Sequence, residues 1–83
     1  MKEITSEWEL DKFKVSGTGW IVNQRDDGVK VHEAGCSYVS SMSPKFRKFH
    51  FEDKAEAKEW LNQMFGNKWY DCGQCHPHLQ FPQ

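Results

Sequence analysis

The sequence of 83 residues lacks the features of several large protein classes. No apolar run approaches the roughly 18 residues that a membrane-spanning helix needs. The polar residues Lys2 and Glu3 do not begin the apolar segment of a signal peptide. The net charge is −1, so the chain has no general attraction for polyanions. Strongly basic nucleic-acid-binding domains do have such an attraction, and this class is therefore excluded. These absences predict a cytoplasmic protein without membrane contact.

Cysteine is scarce: the chain has three, an odd number that fits a disulfide framework poorly. A domain of this length buries only about 60% of the surface that its unfolded chain exposes, so it often needs a metal or a disulfide for stability. The sequence also shows no Ser-His-Asp set, no phosphate-binding glycine-rich loop and no conspicuous pair of carboxylates. We therefore predict a domain that is not an enzyme and is stabilised by a metal.

Two short motifs supply metal ligands, H-x-x-x-C in the middle of the chain and C-x-x-C near its end. A C-x-x-C pair lets both thiolates reach one ion from a tight turn, and zinc accepts mixed sulfur and imidazole ligands in a closed tetrahedral site. We predict a structural zinc site formed by His32, Cys36, Cys72 and Cys75. The spacing to Cys36 favours His32 as the fourth ligand. Its rivals are the other three histidines: His50, His76 and His78.

The C-terminal motif leaves two further interpretations open. Residues 72–76 read C-x-x-C-H, the attachment pattern of c-type haem, with His76 as one axial ligand and Met42 or Met64 as the other. That interpretation leaves Cys36 without a role and needs an export signal. A thioredoxin-like redox pair is also disfavoured, because such a pair opens a helix and this one follows a helix.

The segment Trp20–His32 has the pattern of a β-hairpin around Asp27-Gly28, two residues that tolerate the positive φ of a type I′ turn. Alternation then places one apolar set on the core face: Trp20, Val22, Val29 and Val31. The opposite face receives Ile21, Asn23, Arg25, Lys30 and His32. His32 is therefore predicted at the end of a strand and away from the core.

A third strand and one helix follow the hairpin. The strand is predicted over Lys45–Phe51, with Phe49 and Phe51 facing the core and Arg47 beside them. The opposite, solvated face carries Phe46, Lys48 and His50. The helix begins at Asp53, whose pairing with Glu56 resembles a capping box, and ends at Gly66. Its buried stripe consists of Ala57, Trp60, Leu61, Met64 and Phe65.

These elements predict an α+β fold in which an antiparallel hairpin and a third strand pack on one C-terminal helix. We expect a single domain over residues 1–83. A partly extended arm covers residues 1–16, a zinc-stabilised core covers residues 20–75, and a flexible tail covers residues 76–83.

The run from His32 to Pro77 resembles the N-terminal metal-binding domain of Ada-type DNA alkylation-repair proteins. The matching positions are His32, Cys36, Phe49, Phe51, Glu56-Ala57, Gly66, Cys72, Cys75 and Pro77. The resemblance covers about half the chain. It implies a zinc site and a surface that faces DNA. It does not imply phosphotriester repair, because the methyl-accepting cysteine of that family corresponds to His32 here.

Two partner classes are compatible with such a module. A basic cluster interleaved with aromatic residues, Lys45, Arg47 and Lys48, predicts contact with DNA or RNA through phosphates and stacked bases. The alternative is a protein-interaction adaptor that uses exposed aromatic side chains such as Trp8 or Trp69. In either case we expect a monomer.

Overall fold

The computed structural model describes residues 1–25, 28–36, 46–73 and 75. In chain order its elements are β1 (Lys2–Ile4), α1 (Glu7–Ser16), β2 (Trp20–Arg25), β3 (Gly28–Glu33), β4 (Arg47–Phe51), α2 (Lys54–Phe65) and β5 (Trp69–Asp71). The five strands form one sheet in the order β1-β4-β2-β3-β5. All neighbouring strands are antiparallel except β3 and β5, which are parallel. The predicted α+β class is confirmed. Neither helix in these residues is long and apolar enough to span a membrane.

The hairpin of β2 and β3 has the predicted faces but a different register. Arg25 pairs with Gly28, so the connecting positions are 26 and 27, which lie outside the described residues. The predicted turn at Asp27-Gly28 is therefore one residue too late. Each residue of β2 consequently pairs with a partner two positions away from the predicted one. An even shift leaves every side chain on its predicted face.

The core lies between one face of the sheet and α2. Its buried residues are Val22, Val29, Val31, Phe49, Phe51, Ala57, Leu61 and Trp69. The stripe predicted for α2 supplies two of them, and Trp60 and Phe65 pack against the cluster. The prediction is wrong for Met64, which is 60% exposed. The ring centroids of Trp60 and Phe65 lie 5.6 Å apart in an edge-to-face contact. These two rings pack against the core cluster in place of the Met64 side chain.

Helix α2 begins and ends where its capping residues predict. The Asp53 carboxylate accepts a hydrogen bond from the Glu56 N–H at 3.3 Å, which satisfies a donor of the first turn. Gly66 follows the last turn with a φ of 64°, a conformation that favours glycine. These two local signals fix the length of the helix and the point from which the chain returns to the sheet.

The prediction of a partly extended arm over residues 1–16 is wrong for its later part, because Glu7–Ser16 form helix α1. Ser6 caps its first turn by accepting from the Glu9 N–H, and Gly17 ends it with a φ of 66°. Leu10 and Phe13 pack against a second apolar cluster on the face of the sheet opposite α2. That cluster consists of Ile4, Ile21, Ala34, Cys36 and Cys72. Helix α1 therefore covers the face that carries the cysteines.

This cover buries the face of β4 that was predicted to be solvated. Lys48 is only 4% exposed, and its Nζ donates to the Phe46 carbonyl oxygen at 2.8 Å. His50 is equally buried, its ring stacked on Phe13. The strand itself spans Arg47–Phe51. Lys45, the start of the predicted strand, lies outside the described residues, as does the predicted tail over residues 76–83.

Candidate metal centre

The parallel pairing of β5 with β3 brings the C-terminal cysteines to the hairpin. Val31 pairs with Asp71, so the same register places Cys72 beside His32, the next residue of β3. The Cys72 N–H continues the ladder by donating to the Val31 carbonyl oxygen at 2.8 Å. Adjacent positions in paired strands share a face. The imidazole and the thiol therefore lie on the same side of the sheet, the side covered by α1.

A tight turn after β3 returns Cys36 to this point. The Cys36 N–H donates to the Glu33 carbonyl oxygen at 2.9 Å, and the Ala34 N–H donates to the Gly19 carbonyl oxygen at 3.0 Å. The Glu33 N–H donates to the Sγ of Cys75 at 3.3 Å. The backbone of Glu33 thus binds segments on both sides of the site, and a donor aimed at sulfur stabilises the thiolate form.

The ligand atoms of His32, Cys36, Cys72 and Cys75 all lie within 4.8 Å of one another. The Sγ atoms of Cys36 and Cys72 are 4.0 Å apart, and no disulfide joins the three cysteines. This separation is about twice a disulfide bond length but allows two sulfurs to share one ion. His32, Cys36 and Cys72 are buried and Cys75 is partly exposed. The four residues could hold a metal ion.

The imidazole of His32 has the electronic form that a metal requires. Burial, with smaller contributions from the charges of Lys30 and Arg25, lowers the pKa of His32 to about 4. The ring is therefore neutral near neutral pH and keeps a lone pair for coordination. Its Nδ1 is buried and has no hydrogen-bond partner among the residues that the structure describes. An unpartnered buried nitrogen is costly unless a ligand satisfies it.

The pKa of the Cys75 thiol is shifted in the opposite direction, upward. Burial, chiefly, raises the pKa of Cys75 to about 12, and the neighbouring sulfurs of Cys36 and Cys72 raise it further against the effect of the Glu33 N–H. Removing three protons from sulfurs this close together requires a compensating positive charge. A bound divalent cation supplies that charge and holds thiolates deprotonated. Three thiolates in this cluster would therefore need a bound cation to balance their negative charge.

The rival histidines are placed elsewhere or lie outside the described residues. His50 stacks on Phe13, and its Nε2 lies 2.8 Å from the Thr18 carbonyl oxygen, so it belongs to the packing of α1 on the sheet. His76 and His78 lie outside the described residues, as does Met42, one of the two predicted axial ligands of a haem. The other, Met64, is exposed on α2.

Those residues predicted to contact partners that the structure describes do not form one exposed surface. The guanidinium of Arg47 binds the Glu3 carboxylate through two hydrogen bonds of 2.9 and 3.2 Å, and this pairing lowers the pKa of Glu3. Lys48 is buried, and Lys45 lies outside the described residues. Trp69 is 2% exposed, which contradicts its predicted role as an exposed aromatic, whereas Trp8 is 71% exposed.

Gly19 is a supporting residue that the sequence pattern did not single out. Its φ of 85° lies in the region that favours glycine, and a Cβ at this position would collide with the carbonyl oxygen of Phe51. The Gly19 carbonyl oxygen in turn accepts the hydrogen bond from Ala34, two residues before Cys36. The only signal in the sequence is the Gly17-Thr18-Gly19 run, which is typical of a turn but does not indicate a contact with the turn that carries Cys36.

Comparison of the chain with protein-family models, curated proteins and solved structures finds no match.

Proposed function

We propose that this protein is a non-enzymatic zinc-binding module, in which Zn²⁺ joins the β2–β3 hairpin to the C-terminal segment. The observation that carries the proposal is the convergence of one imidazole and three thiols within 4.8 Å, from segments far apart in the sequence. Tetrahedral zinc–thiolate bonds of about 2.3 Å separate two sulfurs by roughly 3.8 Å. The Cys36–Cys72 separation of 4.0 Å is close to that value.

The ligand chemistry supports zinc over other metals. Soft thiolates with one imidazole suit Zn²⁺, whereas Mg²⁺ and Ca²⁺ prefer carboxylate and carbonyl oxygen ligands. Four protein ligands also complete a tetrahedral shell, which leaves no position for a reacting water. The metal would therefore act by holding the ligands together, and its thiolates would be poor nucleophiles while they are coordinated.

The position of the site explains why a metal is useful here. Strand β5 has only three residues and lies at the sheet edge, paired with β3 alone. Few backbone hydrogen bonds therefore retain it. Structural zinc contributes on the order of 10 kcal/mol in small domains, comparable with the whole stability of a domain. Ligands that come from both the β3 and the β5 segments would fix this edge.

The test is metal removal combined with Cys72→Ser. Elemental analysis should give one zinc ion per chain, and a strong chelator should abolish the dispersed NMR spectrum and the cooperative thermal transition. Adding Zn²⁺ should restore both in the native sequence but not in Cys72→Ser. An unchanged thermal midpoint and spectrum after complete metal removal would contradict the proposal.

The partner of the module is a separate question, and the contacts of the described basic residues weigh against nucleic acid. Among the described residues of the predicted basic cluster, Arg47 is paired with Glu3 and Lys48 is buried, which leaves little positive charge there for phosphates. Binding of DNA or RNA through this strand would fall steeply with added salt. A gel-shift titration at low salt should therefore show no complex, and a salt-sensitive complex that Arg47→Ala abolishes would reverse this preference.

A further inference from the structure

The three cysteines of the candidate metal centre differ in their access to solvent. Cys36 and Cys72 are 5% and 1% exposed, and the contact between their Sγ atoms is buried. Cys75 is partly exposed, and the hydrogen bond that its Sγ accepts from the Glu33 N–H is exposed to solvent. Oxidation of cysteines follows the exposure of their sulfurs. A reagent in solution therefore meets the sulfur of Cys75 first.

A cleft of about 500 Å³ opens at the exposed side of the centre. Cys36 and Cys75 line it and Cys72 does not. No lysine or arginine is among the described residues of its lining. With zinc bound, three thiolates and a neutral imidazole give the centre a charge of −1. This charge favours a neutral reagent over an anionic one.

The exposed sulfur has a second sulfur within reach. The thiol of Cys75 is hydrogen-bonded to Cys36, and the ligand atoms of the whole centre lie within 4.8 Å of one another. A disulfide requires two sulfurs that approach to about 2.05 Å, so a small movement would join them. Such a bond would leave only His32 and Cys72 as ligands, too few for a closed zinc site.

We infer that Cys75 is the site at which hydrogen peroxide oxidises the centre, and that the product is a Cys36–Cys75 disulfide with release of the metal. The inference rests on the proposed zinc site. Coordination keeps Cys75 a thiolate, which is the form that peroxide oxidises, although it reacts more slowly than a free thiolate.

The reaction has two steps. The Cys75 thiolate takes one oxygen from the peroxide, whose other oxygen leaves as hydroxide, and becomes a sulfenic acid. The Cys36 thiolate then attacks this sulfur, forms the S–S bond and expels a second hydroxide. The two sulfurs together give up two electrons, which reduce the O–O bond, and two protons from solvent convert both hydroxides to water.

The disulfide would replace the metal as the link between two segments. Cys36 follows β3 and Cys75 follows β5, so their bond would join the same two segments that zinc joins. Oxidation should therefore release zinc while this edge of the sheet stays covalently connected. Removal of zinc by a chelator leaves it without either link.

The experiment adds an equivalent amount of hydrogen peroxide to the zinc-loaded full chain and measures the released zinc with an indicator dye. Mass spectrometry of a digest should find a disulfide between Cys36 and Cys75, and dimedone should trap the sulfenic acid at Cys75. Reduction followed by Zn²⁺ should restore the loaded form. First oxidation at Cys36 or Cys72, or a disulfide that includes Cys72, would overturn the inference.

A glycine of the cleft allows a test that leaves every ligand in place. The φ of Gly35 is outside the left-handed region, and the atom nearest to an added Cβ, the Gly17 Cα, lies at an ordinary contact distance of 3.7 Å. Gly35→Leu should keep zinc but slow its release by peroxide roughly fivefold or more, because the side chain narrows access to the sulfurs.

Gly73→Leu is the matched control. It adds the same side chain between two ligands, at a position that does not line the cleft and where no atom lies within 4 Å of the Cβ. This variant should release zinc at the native rate. An unchanged rate in Gly35→Leu would contradict the assigned route. If Gly35→Leu binds no zinc, the site of trapping in the native chain decides.

Zinc content measured before peroxide is added separates the two proposals. A chain with one zinc ion that fails these tests overturns this inference and leaves the proposed function intact. A chain that binds no zinc overturns the proposed function and this inference with it.

Discussion

The ring of His50 stacks on the ring of Phe13 with centroids 3.8 Å apart and planes 10° from parallel. This contact joins β4 to α1, and the 2.8 Å contact between the His50 Nε2 and the Thr18 carbonyl oxygen adds a polar interaction. A histidine that was a rival metal ligand in the sequence is therefore part of the packing between a helix and the sheet. The distinction between His32 and His50 can be measured.

Replacing each of these histidines by alanine should separate a metal ligand from a packing residue. We expect His32→Ala to weaken zinc binding by roughly a hundredfold, because one of four ligands is lost. His50→Ala should keep one zinc ion per chain but lower the free energy of unfolding by about 2 kcal/mol, since a buried hydrogen bond and a ring contact disappear. Competition with a metal indicator dye and chemical denaturation measure the two effects. Loss of zinc binding in His50→Ala but not in His32→Ala would instead place His50 in the site.

Zinc loading should release protons, and the protons should come from thiols. The pKa of Cys75 is raised to about 12, so its thiol is protonated near neutral pH and must lose a proton to bind the metal. The pKa of His32 is lowered to about 4, so its ring is already neutral and releases none. Acidification should accordingly displace the metal.

Calorimetric titration of the metal-free chain in two buffers of different ionisation enthalpy measures this release. The observed binding enthalpy should differ between the buffers in the direction of proton release. Equal enthalpies would mean that no thiol releases a proton on zinc binding, contrary to the raised pKa of Cys75.

Two glycines that both have a positive φ should respond differently to alanine. Gly17 has a φ of 66° and no atom within 4 Å of an added Cβ, so Gly17→Ala should cost about 1 kcal/mol for the left-handed conformation alone. At Gly19 the Cβ would also collide with the Phe51 carbonyl oxygen. Gly19→Ala should therefore cost about 3 kcal/mol or more. Denaturation of both zinc-loaded variants gives the comparison, and equal losses would contradict the collision.

Two apolar residues of α2 provide a matched pair for the core. Leu61 is fully buried and Met64 is exposed, although the helical spacing predicts both in one stripe. We expect Leu61→Ala to lower the free energy of unfolding by 2–5 kcal/mol, roughly the usual range for a cavity, and Met64→Ala by about 0.5 kcal/mol or less. Thermal or chemical denaturation measures both. A large loss at Met64 would indicate a contact that the described residues do not make.

The parts of the fold that depend on local pattern were predictable. The faces of the hairpin follow from alternation alone, and α2 follows from its capping residue, its apolar spacing and its terminal glycine. The four residues that could hold a metal ion, His32, Cys36, Cys72 and Cys75, stand out by their chemistry and spacing before any geometry is known. In each case the information lies within a few neighbouring residues.

The parts of the fold that depend on contacts between distant segments could not be predicted from the sequence. Helix α1 offers only Leu10 and Phe13 to the sheet and buries no residue fully, so its apolar pattern is weak. Strand β5 is three residues long, and its pairing with β3 has no local signal. Lys48 looked solvated because nothing in β4 indicates that α1 covers that face. Contacts between elements far apart in the chain decide all three.

Cys36 and Cys72, whose Sγ atoms lie 4.0 Å apart, are 36 residues apart in the chain. The segment between them contains β4 and α2, which provide much of the core. A metal that binds both cysteines therefore closes the segment between them into a loop, as a cross-link does. Closing a loop of this size removes unfolded-state entropy worth about 4 kcal/mol in the chain-entropy description of cross-links. The ion would thus act on the unfolded chain as well as on the folded one, as a reversible cross-link that can be made and broken in a reducing compartment.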